Sequence, residues 1–291
     1  MGILLYSWIQ NKLRRTRRWA KWVPRQATSH LRVLPNFLIL GAMKSGTTSL
    51  YQYLCQHPKV LAAHKKEIYY FDKHYMYGEQ WYRGNFPTRR QMMSAGQGAV
   101  TGEATPYYLF HPTIAGRIAN LLPQVSLIVV LRDPVDRAIS HYFHSVRRGK
   151  ENRPIRQAFA EEDFYVKPEE KLLEADHYTS DRHRMWSYVS RGLYAQQLKK
   201  YLELFPRKQL LVLKSEALFA APQTSVTTVT DFLDLEPFEL CDVKVLNAGT
   251  YVKSEPSEVR EMRKQLRQYF KPHNQILSEL LHEDFTWTEK E

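Results

Sequence analysis

Residues 35–50 read PNFLILGAMKSGTTSL, and this stretch decides the fold. Its apolar run has the length of a strand and passes into a loop bounded by Gly41 and Gly46, with Lys44 between them. A helical pattern follows at once, so several backbone N–H groups converge at the positive end of a helix. The stretch therefore predicts a strand, a loop and a helix that together bind a phosphate or sulfate group.

The two glycines have the spacing of the nucleotide-binding P-loop, Gly-x-x-x-x-Gly-Lys-Ser/Thr, but Thr47 stands where that motif has its lysine. In a nucleotidase this lysine contacts the β- and γ-phosphates. Lys44 precedes the second glycine and therefore approaches a ligand from the other side of the loop. A P-loop kinase or nucleotidase is one alternative interpretation, and a strand–turn–helix with incidental glycines is the plainest one.

A second strand-to-helix junction lies in residues 125–142, VSLIVVLRDPVDRAISHY. Asp133 is placed to cap the helix and Pro134 to occupy its first position, while Arg132 projects from the end of the strand. Taken alone, this is an ordinary capped helix start with a surface arginine. Because the first anion-binding loop is present in the same chain, however, we expect Arg132 and Ser140 to bind one phosphate. Arg132 would supply a planar guanidinium fork and Ser140 a hydroxyl donor.

These motifs resemble those of sulfotransferases that use 3′-phosphoadenosine 5′-phosphosulfate (PAPS). In that family a Lys-Ser-Gly-Thr-Thr loop holds the 5′-phosphosulfate, and an Arg-Asp-Pro-x-x-Arg-Ala-x-Ser segment holds the 3′-phosphate. Residues 65–72, KKEIYYFD, look like the segment of the heparan-sulfate-type branch (glucosaminyl N- and 3-O-sulfotransferases) that carries the catalytic glutamate. The resemblance extends from about residue 35 to residue 287.

The resemblance implies transfer of a sulfuryl group from PAPS to a hydroxyl or amine, with Glu67 as the base and Lys44 stabilising the leaving group. It implies no metal, and the eleven histidines show no metal-ligand spacing. The expected donor-site residues are Lys44, Ser45, Gly46, Thr47, Thr48, Ser49, Arg132, Ser140, Gly249, Tyr251 and Lys253. Two plainer interpretations stay open, namely a solvated ion pair of Glu67 with a neighbouring lysine and an ordinary surface turn at residues 247–253.

Three departures from the heparan-type pattern concern the acceptor. Tyr69 replaces a histidine, Ala104 stands where an acceptor-binding lysine is frequent, and Cys241 has no nearby partner for the late disulfide-bounded loop. They leave the donor site intact but argue against heparan itself as the acceptor. The resemblance to the heparan-type branch implies a glycan or glycolipid as the acceptor, with a small hydroxyl-bearing molecule as the alternative.

The pattern of apolar runs and helical segments predicts one α/β domain over residues 33–291, with a central parallel sheet flanked by helices and a P-loop NTPase-like sulfotransferase fold. The polar segment 149–188 is expected to be a lid or acceptor-facing insertion rather than core. The predicted strands are 37–40, 99–103, 126–131 and 209–214, and the predicted helices are 47–55, 113–122, 134–148, 193–204, 223–232, 258–270 and 272–281.

The net charge of +12 is unevenly distributed, because residues 1–66 hold twelve of the 42 Lys and Arg and none of the 30 Asp and Glu. Residues 1–32 form a basic tail, of which residues 3–22 suit either an amphipathic helix on an anionic membrane or a solvated tail. A basic membrane- or nucleic-acid-binding protein is thus a further alternative, although the neutral remainder argues against nucleic acid. With only two cysteines, a reducing, cytoplasmic location is expected, with the tail reaching the inner face of the membrane.

Overall fold

The computed structural model describes residues 22–175, 177–243 and 256–287. At its centre lies a parallel sheet of five strands in the order β2–β3–β1–β4–β5. The strands are β1 (Phe37–Gly41), β2 (Val60–Ala62), β3 (Val100–Ala104), β4 (Ser126–Leu131) and β5 (Leu210–Lys214). The predicted α/β domain with a central parallel sheet is confirmed. The sequence did not predict β2, because three residues are too few to show a periodic pattern.

Helices flank this sheet and connect its strands. They are α1 (Thr47–Leu54), α2 (Tyr70–Lys73), α3 (Gly78–Arg83), α4 (Arg89–Ser94), α5 (Ile114–Leu121), α6 (Pro134–Arg147), α7 (Ile155–Ala160), α8 (Glu162–Leu172), α9 (Asp181–Trp186), α10 (Tyr194–Leu202), α11 (Ser215–Ala220), α12 (Pro222–Phe232) and α13 (Ser257–Leu281). A helical stretch also covers residues 22–27. The long crossovers that parallel strands require are thus mostly helical.

Both faces of the sheet are buried, as the residues of β1 illustrate. Leu38 and Leu40 belong to one hydrophobic cluster, whereas Phe37 and Ile39 belong to another, and all four are completely buried. Alternate residues of a strand point to opposite faces, so an uninterrupted apolar strand needs a cover on each side. Burying side chains of this size contributes about 1.5–3 kcal/mol each.

The pairing of β1 with β4 places the two predicted anion-binding motifs side by side. Phe37 pairs with Ser126 in parallel register, and beyond the last paired residues the Ala42 N–H donates to the Val130 carbonyl at 2.7 Å. Parallel neighbours end at the same edge of the sheet, where ligands of such folds bind. The loops that follow β1 and β4 therefore meet at one edge.

The predicted break in the last helical region is wrong. Residues 257–281 form the single helix α13, with Pro272 inside it. A proline removes one backbone donor from a helix interior and normally bends or ends the helix. Here Phe270 and Leu277, on either side of the proline, are both buried in the core, and this packing keeps one helix continuous.

The expectation that segment 149–188 lies outside the core is also wrong in part. It contains the helices α7, α8 and α9. Ile155, Phe159 and Tyr188 are buried in a third hydrophobic cluster together with Phe270 of α13. These buried residues anchor the segment on the domain, while other residues of it line a cavity described below.

Candidate active site

The loop between β1 and α1 has a backbone that depends on its glycines. A Cβ atom added at Gly41 would lie 2.8 Å from the Leu109 Cβ, so the strand end can approach Leu109 only without a side chain. Gly46 has a φ of 94° and Lys44 a φ of 72°, both in the left-handed region. Left-handed backbone is uncommon for a lysine and recurs at functional sites. The loop thus turns sharply around Lys44.

The first turn of α1 offers backbone donors to this loop. Gly46 is the residue before the helix and provides no side-chain cap, and first-turn N–H groups have no acceptor within a helix. The Ser45 hydroxyl is buried and has no hydrogen-bond partner in the described structure, while Thr47 is buried and Thr48 half-buried. Donors of this kind are suited to an anion.

Two predicted donor-site residues, Ser45 in the loop and Ser49 in α1, are less available than the sequence suggests. The Ser45 N–H donates to the Ala42 carbonyl at 3.3 Å, so it is already engaged inside the loop. Ser49 is completely buried, and its side chain hydrogen-bonds with Tyr53 one turn further along the helix. The backbone N–H of Ser49 remains a candidate contact, whereas its hydroxyl faces the protein interior.

Arg132 lies against the same loop. Its guanidinium Nη1 donates to the Lys44 carbonyl at 3.3 Å, and its Nη2 lies 3.7 Å from Asp136 Oδ2. The Asp133 carboxylate accepts the Val135 N–H at 2.8 Å and caps α6, with Pro134 in the first turn. The structure therefore brings Lys44 and Arg132 together, although they are 88 residues apart in the chain.

The field around Lys44 is strongly positive. Burial lowers the pKa of the Lys44 ammonium, and the charges of Arg147 and Arg132 lower it further. Burial lowers the pKa of His144 to about 4, with additional contributions from Lys44 and Arg148. Cations gathered this closely repel one another, so a bound anion relieves the repulsion. Arg147 and Arg148 carry no signal in the sequence, because basic residues at the C-terminal end of a helix are common.

Other predicted donor residues are less well placed or lie elsewhere. Ser140 is buried on α6, and its contact with a phosphate stays a prediction. Gly249, Tyr251 and Lys253 fall in residues 244–255, outside the described part of the chain.

Glu67 sits on a short connection that is fixed to the end of β3. The Glu67 N–H donates to the Ala104 carbonyl at 3.2 Å, and the Ile68 N–H donates to Glu103 Oε2 at 3.3 Å. Glu103 is completely buried and also accepts from the Tyr82 hydroxyl at 2.7 Å. Glu67 itself has a left-handed φ of 60°. These hydrogen bonds hold the unusual backbone in place and direct the Glu67 side chain.

Both carboxylate oxygens of Glu67 have partners. The Lys66 ammonium donates to Oε1 at 2.8 Å, and the Tyr69 hydroxyl donates to Oε2. Burial acts to raise the pKa of Glu67, but the Lys66 charge and the hydrogen bonds from Lys66 and Tyr69 outweigh it and hold the pKa below its ordinary value. The predicted ion pair is therefore present, and the side chain is still 36% exposed.

This exposed part of Glu67 faces a cavity of about 550 Å³. The cavity is lined by Met43, Glu67, Tyr69, Lys73, Pro106, Tyr107, His144, Arg148, Lys150, Asp181, Arg182, Arg184, Met185, Trp186 and Arg191. Six of these lining residues are Lys or Arg and two are acidic. A larger cavity of about 800 Å³, lined by residues of α7, α8 and α13, contains none of the predicted site residues.

Comparison with known proteins identifies relatives over most of the chain. The family model described as "Sulfotransferase domain" matches residues 34–275. The membrane-associated sulfotransferase kil1 of Dictyostelium discoideum is 29% identical, over 87% of this chain and 66% of the relative. The heparan sulfate glucosamine 3-O-sulfotransferase 3A1 of Mus musculus is 30% identical, over 87% of this chain and 64% of the relative. The chain thus spans slightly less than two thirds of these relatives.

A solved structure agrees with these matches. The crystal structure of a sulfotransferase from Alicyclobacillus acidocaldarius superposes with a TM-score of 0.65 at 30% sequence identity, covering 87% of this chain and 97% of the other. In the described residues, no helix has both the length and the apolar character needed to cross a bilayer.

Proposed function

Because the chain belongs to the sulfotransferase domain family, we propose that it transfers the sulfuryl group of PAPS to a hydroxyl or amine of an anionic glycan or glycolipid. The observation that carries this proposal is the contact between Arg132 and the Lys44 loop. It joins two anion-binding elements from neighbouring strands into one site, as a nucleotide with separate 5′ and 3′ phosphates requires.

The donor is assigned to the edge of the sheet where β1 and β4 end. The first turn of α1, with the buried Ser45 hydroxyl and the hydroxyls of Thr47 and Thr48, would receive the 5′-phosphosulfate. Arg132 would receive the 3′-phosphate, assisted by Ser140. Lys44 would donate a hydrogen bond to the bridging oxygen between sulfur and phosphorus, where negative charge grows as the bond breaks.

Glu67 is assigned as the base that removes the acceptor proton. The acceptor oxygen attacks sulfur in line, its O–S bond forms as the S–O bond to the nucleotide breaks, and its proton passes to Glu67. The acceptor hydroxyl becomes acidic as the O–S bond forms, so a carboxylate with a lowered pKa suffices. Tyr69 and Lys66 would hold the carboxylate in place.

An acceptor with negative charge fits the cavity beside Glu67. Arg184 and Lys73 both lie over the ring of Tyr69, at 5.6 and 5.9 Å from its centroid. Burial lowers the pKa of Lys73, and the nearby Arg184 charge lowers it further. Asp181 already pairs with Arg184 at 2.8 Å, so these three side chains carry one net positive charge, which a carboxylate or sulfate on the acceptor would neutralise next to the base. The cations beside Tyr69 therefore come from α2 and α9. Position 104, where an acceptor-binding lysine is frequent in the heparan-type branch, is an alanine in this chain.

Sulfuryl transfer with ³⁵S-labelled PAPS to a matched pair of acceptors tests the proposal. The pair is an oligosaccharide with glucuronate residues and the same oligosaccharide after reduction of its carboxyl groups. We expect kcat/KM to be at least about tenfold higher for the charged form, and Arg184→Gln to remove most of that preference, because it removes one charge-assisted contact to the acceptor. Lys199→Gln, at an exposed position of α10, is the control.

The possible results separate the parts of the proposal. Equal labelling of the two acceptors would contradict an anionic acceptor while leaving the sulfotransferase assignment in place. Absence of transfer to either acceptor, together with absence of nucleotide binding, would contradict the assignment itself.

A further inference from the structure

A partly exposed patch of three aromatic residues and one methionine lies at the start of the described chain, where Trp22 and Trp81 are half-buried and Met76 and Tyr77 are exposed. We define it as Trp22, Met76, Tyr77 and Trp81. The ring of Trp81 lies 5.4 Å from that of Trp22 and 5.5 Å from that of Tyr77, measured between centroids. Met76 and Tyr77 are 66% and 62% exposed. Large side chains of this kind, exposed side by side, usually mark an interaction surface.

The chemistry of the patch fits the interface between lipid and water. Tryptophan and tyrosine combine an apolar ring with one polar atom, and they are enriched at the headgroup level of membranes. The Lys65 ammonium lies 5.7 Å from the Trp81 ring centroid, where it can face lipid phosphates. His74 packs against Tyr77 and Trp81, and burial, Lys65 and Lys73 lower its pKa to about 4. At neutral pH this histidine thus adds no charge under the patch.

The charge of the adjoining sequence points to an anionic partner. Residues 1–21 carry six Lys or Arg and no Asp or Glu, and they lead directly into Trp22. Basic residues close to an anionic bilayer strengthen binding to it. A second copy of this chain would bring the same positive charge and repel, whereas an anionic bilayer attracts both the basic residues and the aromatic side chains.

We propose that this patch docks the folded domain on an anionic lipid bilayer, with Met76 and Tyr77 at the headgroup level and Lys65 facing the lipid phosphates. Residues 69–77 also connect the patch to the acceptor cavity, because Tyr69 and Lys73 line that cavity. Docking would thus hold a segment that lines the cavity at the bilayer surface, which favours lipid-linked acceptors. This last consequence rests on the proposed function, whereas the docking itself does not.

Vesicle co-sedimentation of the full chain tests the proposal. The vesicles are phosphatidylcholine alone or phosphatidylcholine with phosphatidylglycerol. We expect binding to the anionic vesicles, and a loss of at least about tenfold in the partition coefficient for the double variant Met76→Ser/Tyr77→Ser, since two apolar contacts with lipid are removed. The matched control is Met93→Ser/Phe164→Ser, which removes two side chains of similar kind that are 80% and 75% exposed outside the patch.

Several results would overturn the docking proposal. They are equal losses for the two double variants, unchanged binding of the Met76/Tyr77 variant, and absence of binding to anionic vesicles. A concentration-dependent dimer that the patch variant abolishes, without vesicle binding, would reassign the patch to a contact between copies. The thermal midpoint of each double variant, and of the single variant Tyr77→Ser, is measured to check that the fold is retained. Nucleotide affinity, measured in parallel, reports on the proposed function separately.

Discussion

Lys44→Ala is expected to lower kcat by about a hundredfold to a thousandfold, the effect of removing one donor that stabilises charge in a transition state. The ammonium is assigned to the bridging oxygen of PAPS, whose negative charge appears only as the S–O bond breaks. The loss should therefore appear mainly in kcat, while the affinity for adenosine 3′,5′-bisphosphate falls much less. Steady-state transfer of labelled sulfate, together with calorimetric titration of the nucleotide, measures both quantities.

Two further variants make the Lys44 experiment specific. Lys44→Met keeps the length of the side chain and should lose as much activity as the alanine variant, because neither supplies a charge. Lys199→Ala removes an exposed lysine of α10 and should behave like the unmodified protein. If both Lys44 variants kept activity within a few-fold of the unmodified protein, the leaving-group role of Lys44 would be lost.

Glu67→Gln is expected to lower kcat by about a hundredfold to ten-thousandfold, the usual contribution of general-base catalysis. The glutamine has nearly the same shape, so nucleotide binding and the thermal midpoint should be retained. Glu203→Gln, at an exposed position after α10, is the matched control. Near-normal transfer by Glu67→Gln would contradict the assignment of the base.

The pH dependence gives an independent check on Glu67. A base acts when it is deprotonated, and the pKa of Glu67 is held below its ordinary value. In the pH profile of kcat/KM, the midpoint of the acid limb should therefore lie below about pH 4.3, the pKa of an unperturbed glutamate. Tyr69→Phe removes a hydrogen bond to the carboxylate, so the pKa should rise and the acid limb should move to higher pH. An acid limb that does not move would show that Tyr69 does not support this carboxylate.

The sequence was sufficient to predict the elements that carry the donor site. The apolar runs of β1 and β4 are continuous because both faces of the sheet are covered, and each run passes directly into a loop and a helix. The order of the strands cannot be predicted from the sequence. That β1 pairs with β4, and thereby brings Arg132 to the Lys44 carbonyl, is a property of the folded sheet.

The acceptor side was much less predictable. Its cations lie on α2 and α9, in the turn after α6 and in the connection after α9, and each looks like an ordinary solvated charge in the sequence. Segment 149–188 was identified by its polarity, but polarity could not reveal that Phe159 and Tyr188 anchor it in the core. In the sequence Pro272 indicates a helix boundary. The burial of Phe270 and Leu277, which keeps the helix continuous, is visible only in three dimensions.

Relative binding of adenosine 3′,5′-bisphosphate and adenosine 5′-monophosphate, measured by calorimetry without magnesium, tests the central claim most directly. The two nucleotides differ only in the 3′-phosphate. Since charge-assisted hydrogen bonds contribute about 1.5–3 kcal/mol each, the bisphosphate should bind at least about a hundredfold tighter, and Arg132→Ala should remove most of that difference. Equal affinity for the two nucleotides, or tighter binding of ATP with magnesium, would contradict a site in which the Lys44 loop and Arg132 hold the two ends of one bisphosphorylated adenosine.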